Sequence, residues 1–111
     1  MSNETKVFIS IPMRGRTDKE IDEDRKSIMD YIQQIIGPCR EVPSHFNSKM
    51  VEKLKPLECL GMSLELMSHS DVVVFADGWE EARGCRIEHE CALQYGYQII
   101  DLSDGQMENS I

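Results

Sequence analysis

At 111 residues, with 12 Lys+Arg against 20 Asp+Glu and 41% hydrophobic residues, the chain has room for one domain and one core. Folding at this size buries roughly 65% of the accessible surface, enough for a core without metal or disulfide staples. A formal charge of −8 repels phosphate backbones and anionic lipid, which argues against a nucleic-acid polymer or a membrane surface as partner and leaves small anions to a local exception.

Lys6 to Ile11 (KVFISI) is β-branched and aromatic and ends at Pro12, which predicts a buried strand. The loop after it is basic. Thr17-Asp18-Lys19-Glu20 has capping-box spacing, and Ile21, Ile28, Met29, Ile32, Ile35 and Ile36 keep a helical period until Gly37-Pro38. Cys39 to Pro43 reads as a weak second strand, followed by a polar connection from Ser44 to Lys55 with some helical tendency. Pro56 opens a helix carrying Leu57, Leu60, Leu64 and Met67 and ending near His69-Ser70. Asp71 to Ala76 (DVVVFA) has the unbroken apolar pattern of a central parallel strand. Asp77 to Arg83 is then a loop, Gly84 to Tyr95 a helix with Gly96 as its C-cap, and Gln98 to Leu102 a last strand.

This alternation predicts one α/β domain over residues 1–111, a three-layer, doubly wound, flavodoxin- or Rossmann-like parallel sheet of four or five strands. The expected order is 2-1-3-4, with residues 1–5 and 103–111 as frayed tails. That order makes strands one and three neighbours, so the loops Ser10 to Thr17 and Asp77 to Arg83 should face each other across a crevice.

Of six arginines, Arg14 and Arg16 fall in the first of these loops and Arg83 and Arg86 in or just after the second. Guanidinium groups hold phosphate or carboxylate bidentately, and the first pair precedes a helix N-terminus, so an anion site is one reading. Pairing with nearby acids is the other. Arg14-Gly15-Arg16 has neither Walker nor GxGxxG spacing, which favours a monophosphate over a triphosphate or dinucleotide. Gly84, Glu88 and Ala92, four apart, share one stripe of a helix, with small residues that would let it approach the sheet. A carboxylate on that packed face suits catalysis; a glutamate that merely complements the helix dipole fits the spacing equally well.

No run reaches the roughly 18 apolar residues of a membrane span, and Met1 to Lys6 precedes no signal core, so a cytoplasmic location is expected. Cys39, Cys59, Cys85 and Cys91 show no zinc spacing and read as packing thiols. His45, His69 and His89 read as surface residues, His89 on an exposed helix face, and neither metal nor cofactor is expected.

The run Asp71 to Trp79, with Gly84-x3-Glu88-x3-Ala92 and Tyr95-Gly96, resembles the nucleoside 2-deoxyribosyltransferase superfamily. It is most similar to the small DUF4406 branch, whose members share a Gly-Trp dipeptide after the strand, here Gly78-Trp79. Ser10-Ile11-Pro12-Met13-Arg14-Gly15-Arg16 resembles the first loop of the 2'-deoxynucleoside 5'-phosphate N-hydrolases. The resemblance implies N-glycosidic cleavage or transfer on a nucleoside or its 5'-monophosphate. Glu88 would attack C1', and Asp77 is a candidate proton donor. It further implies substrate contacts from Ser10, Ile11, Met13, Arg14, Gly15, Arg16, Gly78, Trp79, Arg83 and Gly84, and a homodimer with shared sites. Trp79 would stack on the base or pack on its own domain.

Two positions depart from the pattern. Ala82 stands where transferases carry aspartate and the monophosphate hydrolases serine, six residues before the glutamate, and the acid expected in the preceding helix falls near Ser63, with Glu65 closest. These departures keep a non-catalytic nucleotide-binding module open as the alternative.

Overall fold

The computed structural model describes residues 4–42 and 52–103. In chain order they form β1 (Thr5–Ser10), α1 (Asp18–Ile36), β2 (Cys39–Glu41), α2 (Pro56–Ser68), β3 (Val72–Phe75), a 3-10 turn (Trp79–Glu81), α3 (Arg83–Gln94) and β4 (Gln98–Asp101). The strands make one parallel sheet in the order β2-β1-β3-β4. This is the expected α/β architecture, with four strands among the described residues.

Local chemistry explains the boundaries. The Thr17 hydroxyl accepts from the Glu20 amide at 3.1 Å while the Glu20 carboxylate accepts from the Thr17 amide at 2.8 Å, closing a capping box that starts α1. At the far end of α3 the Gly96 amide donates to Leu93 O at 3.3 Å and the Tyr97 amide to Ala92 O at 2.9 Å. That pair of bonds is a Schellman stop, and it places Gly96 at φ 75°, where a residue with a Cβ is strained. Tyr95 is the C-cap, one residue before the glycine expected in that place.

Alternation along the strands divides the core. Val7, Ile9, Val72 and Val74 point to one face and meet Ile21, Ile28 and Ile32 of α1. Phe8, Val73 and Phe75 point to the other, where Met67 of α2 and Ala92 of α3 cover them. Of the tail residues, Thr5 opens β1 and Ser103 is buried; 1–3 and 104–111 lie outside the described residues. So do Pro43 and most of the Ser44 to Lys55 connection. No helix among the described residues is long and apolar enough to cross a membrane.

Candidate functional site

β1 and β3 are neighbours, paired from Val7↔Val72 to Ser10↔Phe75, so the chain leaves both strands at the same edge of the sheet. The two loops do approach each other: a Cβ built on Gly78 would lie 3.8 Å from Pro12 Cγ. Gly78 has φ 87°, a left-handed conformation that launches the 3-10 turn and explains glycine at this position.

Beside this junction, between the first loop, α2 and the start of α3, lies a cavity of about 840 Å³. Ile11 and Met13 come to it from the first loop, Leu57, Leu60 and Ser63 from α2, and Arg83, Gly84, Cys85 and Glu88 from α3. The lining is mainly apolar. Glu88 is the one carboxylate among the described lining residues, and Lys55 and Arg83 are the cations.

Glu88 is 6% exposed, one helical turn inside α3. The Ser10 hydroxyl at the end of β1 donates to its Oε1 at 2.5 Å. Burial raises the Glu88 pKa above its ordinary value; the Ser10 hydroxyl, the Arg25 guanidinium and the Ser63 hydroxyl act in the opposite sense. Those hydroxyls and the remote cation favour the ionised form against the effect of burial. Arg25 itself is engaged with Glu41 at 2.6 Å across α1 and β2. Burial and the neighbouring Glu88 charge push the Cys85 thiol up to about 11, partly offset by Ser10, so it stays a neutral thiol at neutral pH.

The stripe on α3 has two unlike ends. Ala92 is fully buried against Phe8 and Phe75, as a small residue on a packed stripe should be. Gly84 does not serve close packing, contrary to expectation: a Cβ added there meets nothing within 4 Å. Its missing side chain leaves space in the cavity wall. The first turn of α3 also lacks a side-chain cap at Ala82, so its amides face the same region without a protein acceptor from that residue.

Ser10, Ile11, Met13, Arg83, Gly84 and Glu88 are thus brought to one place. Arg14, Gly15, Arg16, Asp77, Gly78 and Trp79 do not line the cavity. Arg14 and Asp77 are exposed. Arg16 is paired with Asp24 at 3.2 Å and reaches Pro12 O, and Arg86 donates to Glu80 O at 3.0 Å. Four arginines converging on one crevice therefore reduce to Arg83 on the wall, because Asp24 of α1 and the loop carbonyls of Pro12 and Glu80 engage two of the others.

Trp79 is half-buried, donates from Nε1 to Asp101 at 3.0 Å and stacks on His89 with ring centroids 4.1 Å apart. His89 is accordingly not on a free face; its ring also meets Phe75 edge-on at 4.8 Å. All four cysteines are free thiols. Cys39 belongs to the core, but Cys59 and Cys85 line the cavity, which packing tendency alone did not indicate.

The residues missed from sequence are Lys55, Ser63, Cys85 and Arg25, none of which belongs to a loop motif. Ser63 occupies the place expected of an acid and does face Glu88; Glu65, two residues on, is exposed and outside the cavity. No group of three or more His, Cys, Asp or Glu able to hold a metal exists among the described residues.

Neither the curated proteins nor the solved structures include a match to this chain. Residues 5–101, from the first strand to the last, match the domain of unknown function DUF4406, and the protein belongs to that family.

Proposed function

We propose that this protein cleaves or transfers the N-glycosidic bond of a nucleoside or (deoxy)nucleoside 5'-monophosphate, with Glu88 as the nucleophile. One observation carries the reading: a single carboxylate, 6% exposed, stands on the wall of an 840 Å³ cavity with a serine hydroxyl 2.5 Å from one oxygen. The similarity to the nucleoside 2-deoxyribosyltransferase superfamily through Gly84, Glu88 and Ala92 agrees with it. A carboxylate oxygen attacks C1', the C1'–N bond breaks, and its electron pair leaves with the base, which takes up a proton. Water or a second base then resolves the glycosyl ester. Ser10 fixes the carboxylate and leaves the other oxygen for attack. Arg83 and Lys55 supply the positive charge for a 5'-phosphate, and the apolar wall accepts sugar and base.

Among the described lining residues there is no second acid to protonate the departing base. A second copy of the chain supplies it in this reading. Leu57 at 77% and Ile87 at 38% exposure form an apolar rim from α2 and α3 that a partner would cover, giving a homodimer with shared sites. Incubation with each nucleoside and its 5'-monophosphate, followed by chromatography for free base, tests the chemistry. Wild type is expected to release base, Glu88→Gln to lose more than about a thousandfold, and Arg83→Ala to raise KM for monophosphates more than for nucleosides. No base from any substrate refutes the glycosidase.

Glu88 as the one carboxylate among the described lining residues, together with Ala82, also favours a specific second reading, a non-catalytic nucleotide-binding module. A nucleotide that raises Tm without being consumed, in wild type and Glu88→Gln alike, selects the binder.

A further inference from the structure

Lys6 and Arg40 are register partners in the parallel β1–β2 pair, so their side chains stand beside each other on one face of the sheet. That face is the one carrying Phe8 and Ser10, the side of α2 and α3. His69, the C-cap of α2, closes the third side. With Val42 and Leu66 these three basic residues line a cavity of about 280 Å³ that contains no carboxylate among its described lining residues. Like charges on neighbouring strands repel and destabilise a sheet. The chain carries a net charge of −8, and two of its ion pairs, Arg16 with Asp24 and Arg25 with Glu41, lie outside this group. Asp71, the neighbouring acid, accepts from the Lys6 backbone amide at 2.8 Å.

The ordinary role for cations at this position would be to satisfy the last carbonyls of α2. Those carbonyls are already satisfied. The Ser68 hydroxyl donates to Glu65 O, the His69 amide to Leu66 O, the Ser70 amide and hydroxyl to Met67 O, and the Tyr97 hydroxyl to Ser68 O. The three basic groups, each exposed, are left facing this open cavity.

We propose that this cradle is a second anion site, taking inorganic phosphate or the phosphate group of a small monoester. Lysine supplies a compact charge, arginine a planar fork of donors and histidine a ring N–H, a combination suited to a tetrahedral oxyanion. Val42 and Leu66 offer apolar surface to the carbon skeleton of a monoester. Lys6 and Ser10 are four residues apart on one strand, about 13 Å at about 3.3 Å per residue, so the cradle is separate from Glu88 and does not depend on the reading of that site. The bound dianion removes the repulsion between β1 and β2 and so stabilises the fold.

The full chain, titrated with inorganic phosphate or phenyl phosphate at constant ionic strength, is followed by amide 1H–15N spectra and by Tm. Saturable shifts centred on Lys6, Arg40, Leu66 and His69, with a rise in Tm, are expected. Tighter binding of phenyl phosphate identifies a monoester site, and equal binding a site for free phosphate. Lys6→Gln with Arg40→Gln is expected to weaken binding at least tenfold while melting no lower than wild type in phosphate-free buffer; His69→Ala alone weakens it less. Glu88→Gln and Arg83→Gln leave it intact. Unchanged affinity in the Lys6 and Arg40 variant overturns the proposal. So does loss in Arg83→Gln, which would put the phosphate in the larger cavity, or shifts that never saturate.

Discussion

The two faces of this sheet are built differently. On one, a single 19-residue helix lays Ile21, Ile28 and Ile32 along Val7, Ile9, Val72 and Val74, leaving each of these at most 6% exposed. On the other, two shorter helices share the work. The buried residues of α2 and α3 are Met67, Cys85, Glu88 and Ala92, and Leu57, Met62, Ile87 and Leu93 stay exposed. Both faces bury apolar side chains, Phe8, Val73 and Phe75 on the second, but only the second, the open face, also leaves space for a polar group that would weaken a close-packed core. One face can tolerate a buried carboxylate because the other needs none.

The largest expected effect tests the closed face. Ile32 is wholly buried, and Ile32→Ala is expected to lower stability by about 2–5 kcal/mol in denaturant titration. Next is the packed end of α3. Ala92→Leu overpacks against Phe8 and Phe75 and should lose about 1–3 kcal/mol, whereas Gly84→Ala, entering empty space in the same stripe, should gain up to about 1 kcal/mol. Equal effects at the two positions would break the contrast along α3.

Glu88 sharpens the comparison through pH. Its folded-state pKa is raised above the ordinary 4.5, so its contribution to stability is fully present below 4.5 and is lost as pH rises through the raised value. Glu88→Gln should therefore raise Tm at neutral pH, with the advantage vanishing as pH falls toward 4.5. A lower Tm for Glu88→Gln at neutral pH would show that the charge stabilises the fold. Ser10→Ala removes a donor to the ionised carboxylate; direct titration should find the Glu88 pKa higher still. The smallest effect belongs to the open rim, where Leu57→Ser should change monomer stability by less than about 0.5 kcal/mol.

Much of the fold was legible because its signals are local. DVVVFA has the pattern of a central parallel strand covered on both faces, the Thr17 to Glu20 spacing marks a helix start, and strict alternation of strands and helices leaves few topologies. The candidate site was legible in sequence only as far as proximity goes: Ser10, Ile11, Met13, Arg83, Gly84 and Glu88, all on motifs, meet around one cavity. Arg16 and Trp79 were equally conspicuous, but their interactions depend on neighbours eight and more residues away, Asp24 for one and Asp101 and His89 for the other. Lys55, Ser63 and Cys59 carry no motif; they reach the cavity because a crossover helix passes over the sheet there.

Composition, charge and periodicity by themselves pointed to an acidic α/β fold with strand order 2-1-3-4 and put Gly84, Glu88 and Ala92 on one helix stripe, while leaving open whether Glu88 is buried. Those properties follow from hydrophobic period and chain connectivity, which a sequence states directly. Only the tertiary structure decided that Ser10 supports Glu88, that Gly84 opens space instead of closing it, and that Lys6 and Arg40 stand side by side with His69 around one cavity. Each of these depends on groups brought together by strand register or helix docking, and none of the three is written at any single position of the chain.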